Sequence, residues 1–379
     1  MSWKEATAME QRKEYVMFAK QEGANISELS SRYGISRKTG YKWLGRSRGG
    51  EEKWYCDRSR RPLSMPSRIA EEIEREILLV RDEHPAWGGR KIRNRLVSKG
   101  LQGLPSASTI TAVLHRHGRI SPEESAKHDP MQRFEREKPN ELWQMDFKGR
   151  FQTAAEPCHT LTVIDDHSRF ALCVAACVDQ KEKIVKEALT SVFRVYGLPE
   201  HMLMDNGACW KNTDSPYTKL TAWLLKLGVG VSHGRPYHPQ TQGKNERFNR
   251  TLKAEAIKGR LYRDLDDCQR AFDRFRDCYN IERPHEAIGM AAPASRYRIS
   301  VFPFPKVLPA PEYLETDIVR KVTTPGLLSY HKAHYYVGRA FVGEYLAMRT
   351  TVKDGVLAVY FYGHQVATID VVGKKCVQC

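Results

Sequence analysis

A long apolar run is the first thing this chain of 379 residues lacks. A membrane-spanning helix needs about 18 or more consecutive apolar residues, and no uninterrupted stretch here approaches that. The opening segment, MSWKEATAMEQRKEY, has neither an apolar core nor a small-residue cleavage site, so no secretory signal is expected. Acids are in deficit too. The 61 Lys and Arg outnumber the 45 Asp and Glu, giving a formal charge of +16, and such an excess favours a polyanionic partner bound less tightly as salt rises. Nine cysteines are scattered without regular spacing, which argues against a disulfide framework. Cys376 and Cys379 form one CxxC pair, but a structural zinc site takes four ligands and no second pair accompanies them. The pair reads as an unpaired surface tail. These absences imply a protein of the cytoplasm, associated with the nucleoid, with no membrane partner and no organic-cofactor site.

What is present divides into segments, about two to four domains by length. Residues 1–50 read as a helix-turn-helix unit. A first helix over 10–22 carries Tyr15, Phe18 and Ala19 on one face; Ile26, Leu29 and Ser30 face inward on a second. Gly34 permits the turn and Ser36 caps the third helix. That helix points Arg37, Lys38, Tyr41 and Lys42 outward, as expected for DNA contact, with Trp43 and Leu44 inward. Residues 51–68 are a Gly-, Ser-, Pro- and Arg-rich basic linker, whose Arg58, Arg60 and Arg61 suit the minor groove or the backbone of a duplex. Residues 69–120 repeat the theme as a second helix-turn-helix. Ile73, Ile77 and Val80 recur at helical spacing, Arg90 and Lys91 open a basic middle helix, and Ser106 or Ser108 starts the third. Trp87 is expected in its core. Residues 121–138 are a charged connector.

The chemistry is expected in residues 139–300. Leu142, Gln144 and Asp146 alternate with Trp143, Met145 and Phe147, the period of a strand. CHTLTVIDDHSRFALCVAAC is a hairpin joined around Asp166-His167-Ser168, where Asp165 and Asp166 suit a turn. An amphipathic helix ended by Gly197 follows, then a strand closing at Asp205 before Asn206-Gly207, a helix, a fifth strand, and a long helix opened near Pro239 that carries Glu246. Three strands in hairpin order and then alternating helices and strands specify a mixed α/β sheet. Asp146, Asp205 and Glu246 therefore come from two strands and a helix. Brought together bare, three carboxylates repel; divalent cations remove that repulsion. Glu255, nine residues past Glu246, falls on another helix face and is expected to be solvated. Residues 301–316 are a Pro-rich linker, and 317–379 alternate as a small β-barrel or sandwich carrying Lys321, Lys332, Arg339, Arg349 and Lys353.

PNELWQMDF, VIDDHSRF, LMDNG and HPQTQGKNERFNRTLK together resemble the core of the retroviral-integrase superfamily, most closely the bacterial insertion-sequence transposases of the DDE type. The resemblance spans about residues 139–295. It implies a multidomain α+β protein with a ribonuclease-H-like catalytic core. Asp146, Asp205 and Glu246 would be catalytic metal ligands for two Mg²⁺ or Mn²⁺ ions per active site. Lys244, Asn245, Arg250 and Lys253 would line a DNA channel, Lys253 at the family's position for holding the donor end. The implied partners are double-stranded DNA, as transposon ends and target, and further copies of the chain in a dimer or tetramer on DNA. One departure stands out: the 40 residues between Asp205 and Glu246 exceed the family's usual interval, an excess assigned to the polar loop CWKNTDSPYTK. The alternatives are a DNA-binding regulator derived from a transposase, with the chemistry lost, and an endonuclease that never joins strands.

Overall fold

Side-chain caps set the helix ends in the first part of the chain. The computed structural model describes residues 7–50, 52–58, 69–120, 135–205, 215–234 and 243–378, and it divides into two compact units, Met1–Arg68 and Ile69–Cys379. In the first, α1 (Ala8–Ala19) starts at a capping box between Thr7 and Glu10, α2 (Ile26–Arg32) at Asn25, and α3 (Arg37–Arg48) at Ser36. Tyr15, Val16, Ala19, Trp43 and Leu44 form the core. The first helix thus ends earlier than its pattern suggested, and Val16 takes the inner place given to Phe18, which is only half-buried. Helix α3 crosses closely at Gly40, where a Cβ would stand 2.0 Å from the Tyr15 hydroxyl.

The second unit opens with α4 (Glu71–Glu83), α5 (Gly89–Ser98) and α6 (Ala107–Arg116), the last capped by Ser106. Trp87 is wholly buried with Ile77, Val80, Ile92, Leu96, Ile110, Val113 and Leu114. A Cβ at Gly89 would lie 2.3 Å from the Ala107 carbonyl, so only glycine allows this crossing of α5 and α6.

A five-stranded sheet follows: β1 (Leu142–Gln152), β2 (Pro157–Asp165), β3 (Ala171–Cys177), β4 (His201–Met204) and β5 (Gly230–His233), in the order 3-2-1-4-5. The first three are antiparallel, while β4 lies parallel to β1 and β5 parallel to β4. The orientation of β4, open on pattern alone, is thereby fixed. This is the ribonuclease-H-like arrangement. Two apolar layers flank the sheet. On one face Trp143, Met145, Leu161 and Val163 pack against α7 (Glu182–Tyr196) and α8 (Lys219–Lys226). On the other, Cys158, Ile164, Ala171 and Val174 meet α9 (Gly243–Leu252) and α10 (Leu265–Asp277). Period-two alternation along β1 sends Gln144 and Asp146 to this second face. Both α9 and α10 run into a π-helical turn, Lys253–Ile257 and Cys278–Glu282 respectively.

The last segment is an antiparallel sheet in the order β12-β11-β10-β9-β6: β6 (Ile318–Lys321), β9 (Tyr345–Thr350), β10 (Val356–Phe361), β11 (His364–Asp370) and β12 (Lys375–Gln378). The ribbon of β7 (Leu327–Tyr330) and β8 (Ala333–Tyr336) touches β6 on one side and β12 on the other. Ala222 and Leu225 of α8 join this sheet's core, and Lys226 reaches Glu344 at 2.6 Å. Among the described residues, no helix is long and apolar enough to cross a membrane.

Candidate active site

Asp146 lies midway along β1, opposite Thr162 of β2. Beside it, β4 ends at Met204, so Asp205 leaves the sheet next to β1. Asp146 is half-buried. Burial, then the charge of Asp205, pushes its carboxyl up to about 6, against the pull of the Phe147 amide, Lys148 and Asn249. The Asp205 carbonyl is tied by the His233 ring, which spans it and the Pro216 carbonyl at 3.1 and 3.0 Å.

Helix α9 closes the site through an inward stripe at i, i+3, i+4 and i+7: Asn245, Phe248, Asn249 and Leu252 are all buried. Asn249 Nδ2 donates to Asp146 Oδ2 at 2.7 Å. Thr162 Oγ1 donates to the Asp146 carbonyl at 3.1 Å and lies 3.2 Å from Asn245 Oδ1. Glu246, one turn before Asn249, is exposed on the helix flank. Asp146 and Asp205 are thus brought together, whereas among the described residues no trio containing Glu246 has its ligand atoms within 4.8 Å of one another.

Lys244 and Asn245, expected along the DNA channel, turn inward instead. Lys244 Nζ pairs with Asp166 Oδ2 at 2.5 Å, and the Asp166 side chain is fully buried. That carboxylate also accepts from Gln144 Nε2 at 2.7 Å and the Arg136 amide at 2.8 Å. Burial and the nearby Arg169 pull Lys244 down to about 8 despite Asp166. Asp165 makes the turn bonds its type suggests, accepting from the Ser168 amide at 2.7 Å and the Asn140 amide at 2.8 Å. Asp166 does more than turn the hairpin: it anchors the first turn of α9 to the sheet. Gln144, Thr162, Asp166 and Asn249 are therefore site residues that pattern reading passed over. The available signals were the shared face of Gln144 and Asp146 and the one-turn spacing of Glu246 and Asn249.

The other expected contacts divide clearly. Arg37, Lys38, Tyr41 and Lys42 are exposed on α3, as are Arg58, Arg90, Arg250 and Lys253; Arg60 and Arg61 lie outside the described residues. Most of the long polar loop does as well. Arg90 lies 3.8 Å from Glu286. Lys91 faces the core, where burial and then Arg283 lower it to about 8. Lys253 is exposed, like Glu246, at the first residue of the π-helical turn that continues α9. The Glu255 side chain, expected in solvent, is buried and pairs with Arg283 at 3.1 Å, because nine residues past the exposed Glu246 is the opposite, inward side of the helix, in line with Phe248 and Leu252.

Two aspartates, one midway along β1 and one just past the end of β4, form a hard oxygen donor set, the class that suits Mg²⁺ or Mn²⁺. Among the described residues, the buried Gln144 Oε1, Asn245 Nδ2 and Asn249 Oδ1 have no protein partner. Carboxylates in mutual repulsion beside unpartnered polar atoms fit a hydrated divalent cation.

Residues 136–239 and 227–293 match integrase core domain families, and 317–376 match the IS481 family transposase C-terminal domain. Residues 39–114 match a homeodomain-like domain. An insertion element IS407 protein of Burkholderia multivorans is 25% identical over 156 residues, covering 41% of this chain and 54% of that protein. An insertion element IS476 protein of Xanthomonas euvesicatoria is 26% identical over 156 residues, covering 41% and 44%. The chain spans about half the length of these relatives. The HTLV-2 integrase catalytic core domain, solved with magnesium, aligns at 15% identity and a TM-score of 0.33, covering 43% of this chain and 99% of that one. The middle of the chain thus matches integrase core domains and its last segment the IS481-type transposase C-terminal domain, in a chain that resembles the bacterial insertion-sequence transposases of the DDE type.

Proposed function

We propose that this chain binds the terminal inverted repeats of a mobile element, cleaves at the element's 3′ ends and transfers those strands into target DNA. The observation that carries the reading is the approach of Asp146, midway along β1, and Asp205, just past β4, against a helix that bears Glu246. Two Mg²⁺ or Mn²⁺ ions, held by Asp146, Asp205 and Glu246, would activate the attacking oxygen and stabilise the leaving 3′ oxygen. Asn249 holds one oxygen of Asp146 and so orients the other toward the site. Glu246 completes the donor set from the exposed flank of α9. The Lys244–Asp166 pair seats that helix, while Arg250 and Lys253 offer positive charge to the DNA backbone. The exposed stripe of α3 supplies Arg37, Lys38, Tyr41 and Lys42 for duplex contact, and Arg58 and Arg90 add to the basic surface. Two ends must be held at once, so the working form is a dimer or tetramer on DNA, in the cytoplasm and associated with the nucleoid.

The outward position of Glu246 favours one second reading, a regulator that binds DNA without chemistry. Incubating full-length protein with element-end DNA and Mg²⁺ separates the two. The transposase nicks the ends, joins a pre-cut donor to a plasmid, and loses both reactions in Asp146→Asn while retaining end binding. A wild type that binds but never nicks supports the regulator. Cleavage without joined product would instead indicate an endonuclease, and nicking by Asp146→Asn would remove the assignment of Asp146.

A further inference from the structure

Away from this site, the end of α4 meets the π-helical turn after α10. His84 caps α4, and its ring stacks on buried Trp87 at a centroid distance of 3.9 Å and 11° between planes. Cys278 opens the turn and Glu282 closes it. The Cys278 side chain packs on the core of the α4–α6 helices. Its Sγ lies 3.8 Å from His84 Nδ1. One ligand atom each from His84, Cys278 and Glu282 lies within 4.8 Å of the other two, and among the described residues this is the single His, Cys, Asp or Glu trio so arranged.

The separation is informative. Sulfur at about 2.3 Å and imidazole nitrogen at about 2.1 Å from a tetrahedral zinc stand about 3.6 Å apart, close to the spacing observed. We propose that His84, Cys278 and Glu282 form a site for a borderline-soft divalent cation, zinc by class, that clasps the α4–α6 helices to the end of the integrase core. Thiolate and imidazole select zinc over magnesium, so this site and the hard oxygen site would take different metals. Water would supply a fourth ligand. Arg95 bonds Glu282 Oε2, leaving Oε1 for the cation and orienting the carboxylate as an outer partner does. Cys278 and Glu282, four residues apart, share one side of the helix end, in a turn whose Arg283 amide reaches back five residues to the Cys278 carbonyl at 2.9 Å. On binding, the Cys278 thiol gives one proton to solvent and its sulfur pair to the metal, while His84 binds through a bare Nδ1 and keeps its proton on Nε2.

The test uses full-length protein carrying Cys376→Ser and Cys379→Ser, which removes the tail pair as a competing site. Cobalt(II) added to chelator-treated protein should produce a sulfur-to-metal charge-transfer band that saturates at one ion per chain. Zinc should displace it, and Cys278→Ala should abolish it. Independently, zinc should slow alkylation of Cys278 by iodoacetamide, located by peptide mass, in protein that retains its circular dichroism. A missing band, a band that survives Cys278→Ala, or an alkylation rate unchanged by zinc overturns the site.

Discussion

Two acids on the same side of one sheet have opposite surroundings. Asp166, at the β2–β3 turn, is fully buried, yet Lys244, Gln144 and a backbone amide satisfy it. Asp146, half-buried in β1, meets Asn249 and the like charge of Asp205. The first arrangement is what stability asks of a buried carboxylate: a countercharge and donors for its lone pairs. The second leaves a like-charge repulsion that a proton or a bound cation would relieve, and that repulsion helps push the Asp146 carboxyl up. Both arrangements act on α9, one seating its first turn and the other fixing its middle against the sheet.

The most severe break of this contrast is Asp146→Asn. End cleavage should fall by about 10³-fold or more, beyond the loss of a single transition-state hydrogen bond, while the melting temperature holds or rises as the repulsion with Asp205 disappears. Lys244→Ala should do the reverse in kind. It removes the lysine paired with the buried Asp166 carboxylate, so urea unfolding should show a loss of about 3–5 kcal/mol, with activity falling because α9 loosens. If Lys244→Ala unfolds like wild type, Asp166 is not the anchor inferred here.

A third acid sharpens the rule. Asp317 is bound bidentately by Arg349, at 2.7 and 2.9 Å, and its side chain is fully covered. Those bonds hold its carboxyl below the usual value of 3.8. Its stabilising contribution is therefore complete above that value and is lost as pH falls through the lower folded one. Asp317→Asn should lose about 2 kcal/mol near neutral pH, and this difference from wild type should shrink in acid. Asn249→Ala is a gentler probe of Asp146. About 1 kcal/mol of stability should go, with turnover reduced more than DNA affinity. The smallest structural effect belongs to Lys253→Ala, within about 0.5 kcal/mol for an exposed side chain. Its signature would be weaker DNA binding and a salt slope shallower by about one unit.

Much of this framework was legible along the chain. Alternation in β1 separated Trp143 and Met145 from Gln144 and Asp146, because a strand's side chains alternate regardless of what packs on them. Ser36 and Ser106 marked helix starts through bonds to amides three residues ahead. Gly197 ended α7 at a φ of +76°, where an added Cβ would stand 2.7 Å from the Phe302 carbonyl. Glu255 was misjudged for an equally local reason: a face different from that of the exposed Glu246 is the inward side, shared with Phe248 and Leu252.

The three acids were legible as residues of three elements, but not as an arrangement. Nothing in VIDDHSRF announces that Asp166 will hold a lysine 78 residues away, or that Asn249 will reach Asp146 across 103. By itself the sequence determined what spacing encodes: periods, caps, turns, the excess of positive charge and the acids available. Tertiary structure alone decided which acids acquired a countercharge and which faced another acid. Charge pairing depends on distance through space and on burial, and neither quantity exists until the sheet and its helices have closed.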